Sequence, residues 1–427
     1  MTADEFRVGD STKLSATRIA EYVADGLGRG LDGTYYEYDE GVWRRGEHAV
    51  RRRVAAALGD DFTSTVEKQV DAHLLNASIP QIGVREVKGS LPYIVVANGV
   101  YHFAVDDFMP HDERLGALTK LPIAYDARAS CPRFETWLAD VMDHDDDVIA
   151  HVWEIIGYVL MTGNPFQKAI LFHGSGRNGK GTLLRVLREL LGEDNYSGLS
   201  LHTLVEDRFS AAGLFGKIAN ISGDLSDRFV KQPEVVKQIT GGDAITTSHK
   251  YGQLFTFVPY AVPVFAANSY FRSSDTSHGW RRRWLVVDFQ KQYPEGSFDE
   301  TELFAEAAGI FNRAMDALRR LMARGSFAPP ARAVQAAERL HDEDDPFVMW
   351  LEEDDCVQLR DDASTPKQDV YTRYRKWCGE NGYQPMAHGP LGKRLAERGI
   401  RGSRRRDPQG KRAQSYDGIV IFLKTTD

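Results

Sequence analysis

Cysteine and long apolar runs are both scarce in this chain of 427 residues. The three cysteines, Cys131, Cys356 and Cys378, are odd in number and widely spaced, which argues against a disulfide framework and against a cysteine-rich zinc site. We expect each to be a small buried hydrophobe. No run approaches the ~18 apolar residues of a membrane span, and the N-terminus has neither the basic nor the apolar region of a signal peptide. We therefore expect a cytoplasmic protein without a membrane partner.

A general excess of positive charge is also missing. The formal net charge of −8 excludes a surface covered with basic residues, although a nucleic-acid-binding protein needs only local basic patches. Residues 341–355 carry eight acidic residues and no Lys or Arg, whereas residues 391–412 carry nine Lys or Arg and two acidic residues. This change predicts an acidic linker and a domain boundary. We expect three domains, at 1–130, 131–330 and 340–427.

The N-terminal and C-terminal domains have simple predicted structures. Alternating aromatic residues around a glycine turn at 35–43 predict a β-hairpin, and a basic helix is expected at about 47–58, so the first domain is α+β. Near the C-terminus, two helices are followed by a basic hairpin at 402–412 and a closing strand at 418–423. This order predicts a winged helix.

The central domain is predicted to be α/β. Apolar residues at helical spacing predict a helix within 133–163, and short apolar runs then alternate with helical segments between 168 and 289. That alternation is typical of a layered domain with a parallel sheet. A helix at 302–322 closes the domain.

Residues 171–182, LFHGSGRNGKGT, predict a nucleotide-binding loop. The apolar run at 168–172 is typical of a buried parallel strand, and a helix is expected from Thr182 to Leu191. Glycines let successive N–H groups turn toward phosphate oxygens, the helix N-terminus adds a positive dipole, and Lys180 supplies a charge for the β- and γ-phosphates. The predicted nucleotide-binding residues are Gly174, Ser175, Gly176, Arg177, Asn178, Gly179, Lys180, Gly181 and Thr182.

One position in this loop departs from the usual pattern. Gly181 stands directly after the lysine, where a Ser or Thr normally binds Mg²⁺, and the hydroxyl follows one residue later at Thr182. Thr182 is therefore the predicted Mg²⁺ ligand of the loop. The alternative interpretation of the whole stretch is a glycine-rich turn that binds no ligand.

Two polar residues follow later apolar strands. Asp224 comes after a short strand, where a carboxylate can hold Mg²⁺ or orient the attacking water, although an Asp that merely caps a loop has the same pattern. Asn268 ends another strand, where its amide can contact the γ-phosphate and water. A simple Asn turn is the alternative there.

A cluster of arginines precedes the last apolar strand of the domain. Arg281, Arg282 and Arg283 are next to a rigid element, as an arginine finger requires. The alternatives are a solvated basic face and a cation–π cluster with Trp280 and Trp284.

Together these features resemble superfamily 3 helicases, and specifically the phage and plasmid primase/helicase family with its poxvirus-type relatives. Residues 237–251 are similar to that family's additional motif between the acidic strand and the Asn strand, and residues 275–284 are similar to its arginine motif. The Asn-Gly-Lys sequence of the loop and the helix ending at 156–160 also match. The resemblance runs from about 134 to 322 and is weaker around Trp43 and in the C-terminal tail.

The resemblance implies a P-loop AAA+-like ATPase core that uses ATP and Mg²⁺. Lys180 and Thr182 would bind nucleotide and metal, and Asp224 would be the Walker B acid. Asn268 would be the first sensor. Arg282 or Arg283 would reach into the ATP site of a neighbouring subunit, which implies a ring.

The resemblance also implies contacts with DNA. His249 and Lys250 would lie on a hairpin in the central pore and bind single-stranded DNA. A Lys flanked by His and Tyr offers a charge to the DNA backbone and a ring to the bases. An ordinary hairpin tip would have the same sequence. The basic wing would add duplex or origin contacts, unless it is a solvated loop. Its predicted residues are Arg404, Arg405, Arg406, Lys411 and Arg412.

We therefore predict an ATP-dependent helicase that forms a homo-hexamer and acts on single-stranded and forked DNA. It would serve replication of a phage, plasmid or integrated mobile element in a bacterial cytoplasm. Residues 1–125 have no pattern of a primase domain, so a separate primase or primase domain is a candidate partner. A small-molecule phosphotransferase would leave Asn268 and the arginines without a role. A non-enzymatic initiator, binding DNA through 364–423 with ATP as an assembly switch, is the second alternative.

Overall fold

The structure, a computed structural model, divides the chain into two units. The first comprises residues 1–271 and 277–337, and the second comprises 272–276 and 338–427. The residues described are 3–9, 12–75, 79–82, 91–207, 209–223, 225–226, 230, 232–250, 252–271, 273, 275, 277–294, 296–342, 346–381, 383, 385–406 and 412–422. In this part of the chain no helix is both long and apolar enough to cross a membrane.

The first unit begins with helices and two small antiparallel sheets. Its elements are α1 (Ala16–Ala24), β1 (Leu27–Arg29), β2 (Tyr35–Asp39), β3 (Val42–Arg45), α2 (Ala49–Leu58), α3 (Ser64–Leu74), β4 (Tyr93–Val96), β5 (Gly99–His102) and β6 (Asp107–Met109). Glu40 and Gly41 turn the chain between β2 and β3 with positive φ angles of 42° and 96°, as a two-residue hairpin loop requires. The predicted hairpin and the basic helix after it are both confirmed.

A five-stranded parallel sheet with helices around it forms the rest of this unit. The elements are α4 (Pro132–Val141), α5 (Asp146–Leu160), β7 (Ala169–His173), α6 (Lys180–Leu191), β8 (Tyr196–Ser197), α7 (Leu201–Glu206), β9 (Ala219–Ser222), α8 (Glu234–Gly241), β10 (Ile245–Ser248), β11 (Leu254–Phe257), β12 (Val262–Ala267), α9 (His278–Arg281), β13 (Trp284–Asp288), α10 (Glu300–Phe304), α11 (Ala307–Arg324) and α12 (Ala331–Asp342). Strands β10 and β11 form a separate antiparallel hairpin. The predicted α/β layered domain is confirmed.

The strand order of the parallel sheet is β13-β7-β12-β9-β8. Strand β12 is thus inserted between β7 and β9, although it follows both in sequence. Because all five strands are parallel, their carboxyl ends lie at one edge, and ligands of such sheets bind outside that edge where the order reverses. The loops after β7, β9, β12 and β13 therefore meet there.

Two predicted helices are each interrupted. The segment 133–163 forms α4 and α5 because Asp143 and His144 adopt left-handed conformations, each with a φ of 55°. Asp145 then caps α5, and its carboxylate accepts a hydrogen bond from the N–H of Val148 over 3.2 Å. The predicted helix at 302–322 is likewise divided into α10 and α11.

Helices α5 and α11 pack closely at Gly157. A Cβ at this position would clash with the carbonyl oxygen of Ala314 and lie 3.0 Å from the Cβ of Leu318. Ile94, Val96 and other residues of β4 and β5 belong to the same hydrophobic core as these helices. Strands β4 and β5 and the parallel sheet are therefore stabilised by one continuous apolar interior.

The second unit is built on an antiparallel sheet of order β14-β16-β15. Its elements are α13 (Pro346–Glu353), β14 (Val357–Pro366), α14 (Lys367–Glu380), α15 (His388–Glu397), β15 (Arg401–Arg406) and β16 (Arg412–Ile421). The prediction of an acidic linker at 341–355 is wrong for α13, because this helix buries Phe347, Val348, Met349 and Trp350. The closing strand also begins earlier than predicted, and β14 was not predicted.

A buried carboxylate joins α13 to α14. Asp354 accepts hydrogen bonds from Nε of Arg373 over 2.6 Å and from the indole N–H of Trp350 over 3.1 Å. Burial raises the pKa of Asp354, but the hydrogen bonds from Arg373, the N–H of Cys356 and Trp350, together with the charge of Arg373, outweigh burial and hold the pKa below its ordinary value. Cys131, Cys356 and Cys378 are all free and buried, as predicted.

We predict that Gly157→Ala destabilises the first unit by about 1–3 kcal/mol, because the added methyl group overpacks the contact between α5 and α11. The measurement is urea-induced unfolding followed by circular dichroism. Gly379→Ala is the matched control, since a Cβ at this helical position meets nothing within 4 Å. Equal midpoints for the two variants would contradict the close packing.

Candidate functional site

A cleft of about 470 Å³ lies at the carboxyl edge of the parallel sheet. Residues 176–182 of the glycine-rich loop and the start of α6 form one side. Gly223 after β9 and Asn268 after β12 also line the cleft, together with Tyr293, Phe298 and other residues of the segment after β13. The cleft thus collects most of the residues that the sequence predicted for nucleotide binding.

The loop between β7 and α6 has the predicted strand, loop and helix arrangement. Gly176 and Gly179 have φ angles of 98° and 91°, and Arg177 between them has a φ of 48°. Side chains disfavour such angles, so glycine is needed where the loop turns most tightly. Helix α6 begins at Lys180 and presents its N-terminal N–H groups to the cleft, as an anion-binding helix does.

The ammonium group of Lys180 is buried and linked to two strands. It donates to the carbonyl oxygen of Gly174, to Oδ1 of Asn178 over 3.1 Å and to Oδ1 of Asn268 over 3.2 Å. The bond to Asn268 spans from α6 to the end of β12, because β12 lies directly beside β7. The structure therefore brings the predicted lysine and the predicted sensor together.

Asn178 fastens the loop to the end of β13. Its Nδ2 donates to the carbonyl oxygen of Phe289 over 3.0 Å, and its side chain is buried. The N–H of Tyr293 donates to the carbonyl oxygen of Arg177 over 2.7 Å. The segment after β13 therefore holds the loop in its turned conformation before any ligand is bound.

The hydroxyl of Thr182 is directed to a carboxylate that the sequence did not predict. It donates to Oε1 of Glu300 over 2.8 Å, and the guanidinium of Arg185 also binds Glu300. Hydrogen bonding from Arg185 lowers the pKa of Glu300, and the bond from Thr182 lowers it further against the opposing effect of burial. Glu300 is therefore ionised at neutral pH.

The loop hydroxyl and the carboxylate beside it are engaged with each other in this arrangement. Gly181 has no hydroxyl, Thr182 donates its proton to Glu300, and Glu300 is paired with Arg185. Among the residues that the structure describes, no group of three or more His, Cys, Asp or Glu could hold a metal ion. Asp224, the predicted Walker B acid and metal ligand, lies outside the described residues.

The three arginines are placed differently from one another. Arg283 is buried, and its Nε donates to Oγ1 of Thr240 over 2.9 Å, so its guanidinium is engaged within its own chain and its role as a finger stays a prediction. Arg282 is exposed and donates to Oε1 of Gln167. Trp280 and Trp284 are core residues whose rings lie 5.3 Å apart. Of the two predicted finger residues, Arg282 is the exposed one, and its contact with a neighbouring subunit stays a prediction.

His249 and Lys250 lie in the turn between β10 and β11, so the predicted hairpin is confirmed. Lys250 is exposed. The His249 ring stacks on Phe255, and its Nε2 lies 3.9 Å from Oδ2 of Asp32, which is almost completely buried beside β2. A position of this hairpin in a pore stays a prediction.

The predicted basic wing corresponds to β15 and β16. Arg404 is exposed on β15 and faces Gln414 across the antiparallel ladder. Arg405, Arg406 and Arg412 also lie on these two strands, with Arg406 opposite Arg412. Lys411 lies outside the described residues.

Sequence reasoning missed several residues at the carboxyl edge of the sheet. His173 at the end of β7 pairs through Nδ1 with Oδ1 of Asp288 over 2.8 Å and stacks on Tyr270, whose hydroxyl also bonds Asp288. No motif spacing connects these three residues. The strand order brings the ends of β7, β12 and β13 together. Glu300 lies on α10, beyond β13, and no motif connects it to the loop either.

Three family profiles match separate parts of the chain. The profile described as "D5 N terminal like" matches residues 16–143, and "Poxvirus D5 protein-like" matches 344–399. A family of unknown function, DUF5906, matches 172–283 and thus includes the glycine-rich loop, Asn268 and the arginine cluster. The matches cover both units.

The chain is also similar to a viral protein and to solved structures. It is 26% identical over 157 residues to "Putative helicase L207/L206" of Acanthamoeba polyphaga mimivirus, a match that covers 35% of this chain and 16% of that protein. Two apo structures of the NrS-1 C-terminal region align with 94% of the chain at TM-scores of 0.51 and 0.50. The two alignments cover 98% and 99% of the NrS-1 chains at 10% sequence identity, and so indicate a likeness of fold.

We predict that Asn178→Ala weakens ATP binding by about tenfold, because it removes two hydrogen bonds that fix the loop, each worth roughly 0.5–1.5 kcal/mol. Isothermal titration calorimetry measures the dissociation constant. Gln358→Ala, which removes an exposed amide on β14 far from the loop in sequence, is the control and should change affinity less than twofold. A similar affinity for both variants would show that the bond to Phe289 does not organise the loop.

Proposed function

We propose that this chain, a member of the D5-type primase-helicase family, has a role of the replication helicase or primase type and is an ATP-dependent DNA helicase that works as a ring. A P-loop AAA+-like core of the superfamily 3 kind and a C-terminal winged helix belong to the proposal. Replication of a phage, plasmid or other mobile element is the setting that the family suggests. The homo-hexamer, and a separate primase as partner, belong to the same proposal.

One observation carries the proposal: the bond between Lys180 of the phosphate loop and Asn268 at the end of β12. The lysine that would bind the β- and γ-phosphates is thereby connected to β12, which lies between β7 and β9 in the sheet. Loss of the γ-phosphate would change the charge that Lys180 faces, and Asn268 would register the change. Hydrolysis is thus coupled to the position of β12.

The hairpin of β10 and β11 is the proposed DNA-contacting element of this unit. It follows α8 and precedes β12. A shift of β12 therefore reaches the turn that carries Lys250 through residues 258–261 and β11. An exposed ammonium group binds the DNA backbone without reading sequence. Movement of this hairpin would draw a single strand along.

ATP enters the proposal as the ligand of the cleft at the carboxyl edge of the sheet. Mg²⁺ enters the proposal as the ion bound with the triphosphate, and Thr182 and Asp224 are its proposed ligands. The chain's own residues fix the loop, bind phosphate through Lys180 and hold the sensing amide in place. In the second unit, Arg404 on the β15–β16 hairpin would bind duplex phosphates.

We predict that the wild type unwinds a forked duplex with ATP, that Lys180→Ala loses both ATP hydrolysis and unwinding, and that Lys250→Ala keeps hydrolysis and loses unwinding. The reason is that the two lysines serve phosphate binding and DNA binding separately. A strand-displacement assay and phosphate release measure the two activities. The exposed Lys68→Ala in α3 is the matched control.

Hydrolysis by the wild type without displacement on forks of either polarity would contradict the helicase and favour an ATP-switched initiator. Unwinding by Lys250→Ala at the rate of Lys68→Ala would contradict the role of the hairpin.

We further predict that Arg282→Ala lowers ATP hydrolysis by at least tenfold, and that mixing it with Lys180→Ala subunits partly restores the activity. In a mixed ring an intact cleft can then face an intact Arg282, as a finger that acts between subunits requires. Steady-state ATPase assays at several mixing ratios provide the measurement. Arg320→Ala, an exposed residue on α11, serves as control, and strictly additive activities in the mixtures would exclude a shared site.

A further inference from the structure

The guanidinium of Arg185 lies close to the position after the phosphate-loop lysine, where Gly181 has no side chain. A Cβ built on Gly181 would lie 3.2 Å from Nη1 and 3.6 Å from Nη2 of Arg185. The two residues are neighbours on one face of α6 because they are four positions apart. The guanidinium therefore lies against the place where the usual loop presents its metal-binding hydroxyl.

Glu300 holds this guanidinium in a defined orientation. Its Oε2 accepts from Nε of Arg185 over 2.6 Å, and its Oε1 accepts from Nη2. The pairing is the two-point geometry that fixes an arginine most firmly. It uses Nε and Nη2, and Nη1 is the nitrogen nearest to Gly181.

Arg185 is accessible from the cleft. Its side chain retains 52% of its surface exposure, and it lines the cleft together with Gly179, Lys180 and Thr182. A planar guanidinium binds phosphate oxygens through paired donors and keeps its charge at any physiological pH. All the requirements for a phosphate contact are thus present beside the first turn of α6.

We propose that Arg185 is a phosphate-binding residue of this cleft, positioned by Glu300 and admitted by the absence of a side chain at Gly181. It supplies, from within the same subunit, part of the positive charge that a hydroxyl-bound Mg²⁺ supplies in the usual loop. The inference rests on the proposed function, because it takes ATP as the ligand of the cleft. Glu300 is a positioning residue, and the metal is not needed for this contact.

The test measures affinity for ATP in EDTA and for a non-hydrolysable ATP analogue in Mg²⁺, using the full chain. Arg185→Gln should lower the affinity in EDTA by about tenfold, the loss expected for one charge-assisted hydrogen bond, and by less in Mg²⁺. Arg185→Lys should fall between, because it keeps the charge without the planar fork. Arg320→Gln is the matched control for charge, and thermal unfolding verifies that each variant is folded.

Two further variants separate this inference from a metal site. Gly181→Ser should lose affinity in EDTA and keep it in Mg²⁺, because its Cβ displaces the guanidinium and its hydroxyl restores the usual ligand. Glu300→Gln should not reduce affinity in Mg²⁺. A loss with Glu300→Gln that appears in Mg²⁺ alone would make Glu300 a metal ligand and overturn the proposal.

The remaining outcomes are equally decisive. If the wild type binds ATP, Lys180→Ala does not, and Arg185→Gln equals Arg320→Gln, the role of Arg185 is overturned while the nucleotide site stands. If the wild type and Lys180→Ala both fail to bind ATP in either buffer, the proposed function falls, and the role of Arg185 falls with it.

Discussion

The insertion of β12 between β7 and β9 is the constraint on which the site depends. Hydrogen bonding along both edges of β12 fixes its register, with Ala267 opposite His173 and Phe265 opposite Ser222. Asn268 therefore follows the last paired residue and meets the ammonium of Lys180. A shift by one residue would turn every side chain of β12 to the opposite face of a sheet that is buried on both sides. Apolar packing and the position of a polar contact are thus set by the same strand.

Much of the fold could be predicted because it depends on local patterns. Distinct periodicity or turn residues mark the buried strands, the loop of 171–182, the hairpin at 35–43 and the two C-terminal helices. The interruption at Asp143 was missed, because two non-glycine residues with positive φ have no reliable sequence pattern. The helix α13 was missed because its acidic surroundings masked five apolar residues in a row, at 347–351. Charge composition alone is a poor guide to whether a segment packs.

The candidate site could be predicted where a local pattern marks the residue. Lys180 and Asn178 lie within the loop motif, and Asn268 directly follows a buried strand, so the sequence indicated all three. Glu300 and Arg185 meet through the path of the chain after β13, which no spacing rule describes. Arg283 had the right residue type beside the right strand, yet its side chain turns inward to Thr240. Residue type and spacing could not distinguish it from Arg282, because orientation at the end of a one-turn helix is decided by tertiary packing.

The order of the sheet also governs how the chain can fold. Strand β7 pairs with β12 and β13, and both follow it by long stretches of sequence, so β7 has no neighbour until Val262 and later residues are available. Contacts of such large sequence separation form slowly, and an apolar strand that waits for its partners is prone to aggregation in the meantime. The glycine-rich loop therefore has its strand partners only when these later strands are in place. A fragment that ended before β12 would contain the whole loop motif and lack the strand partners that position it.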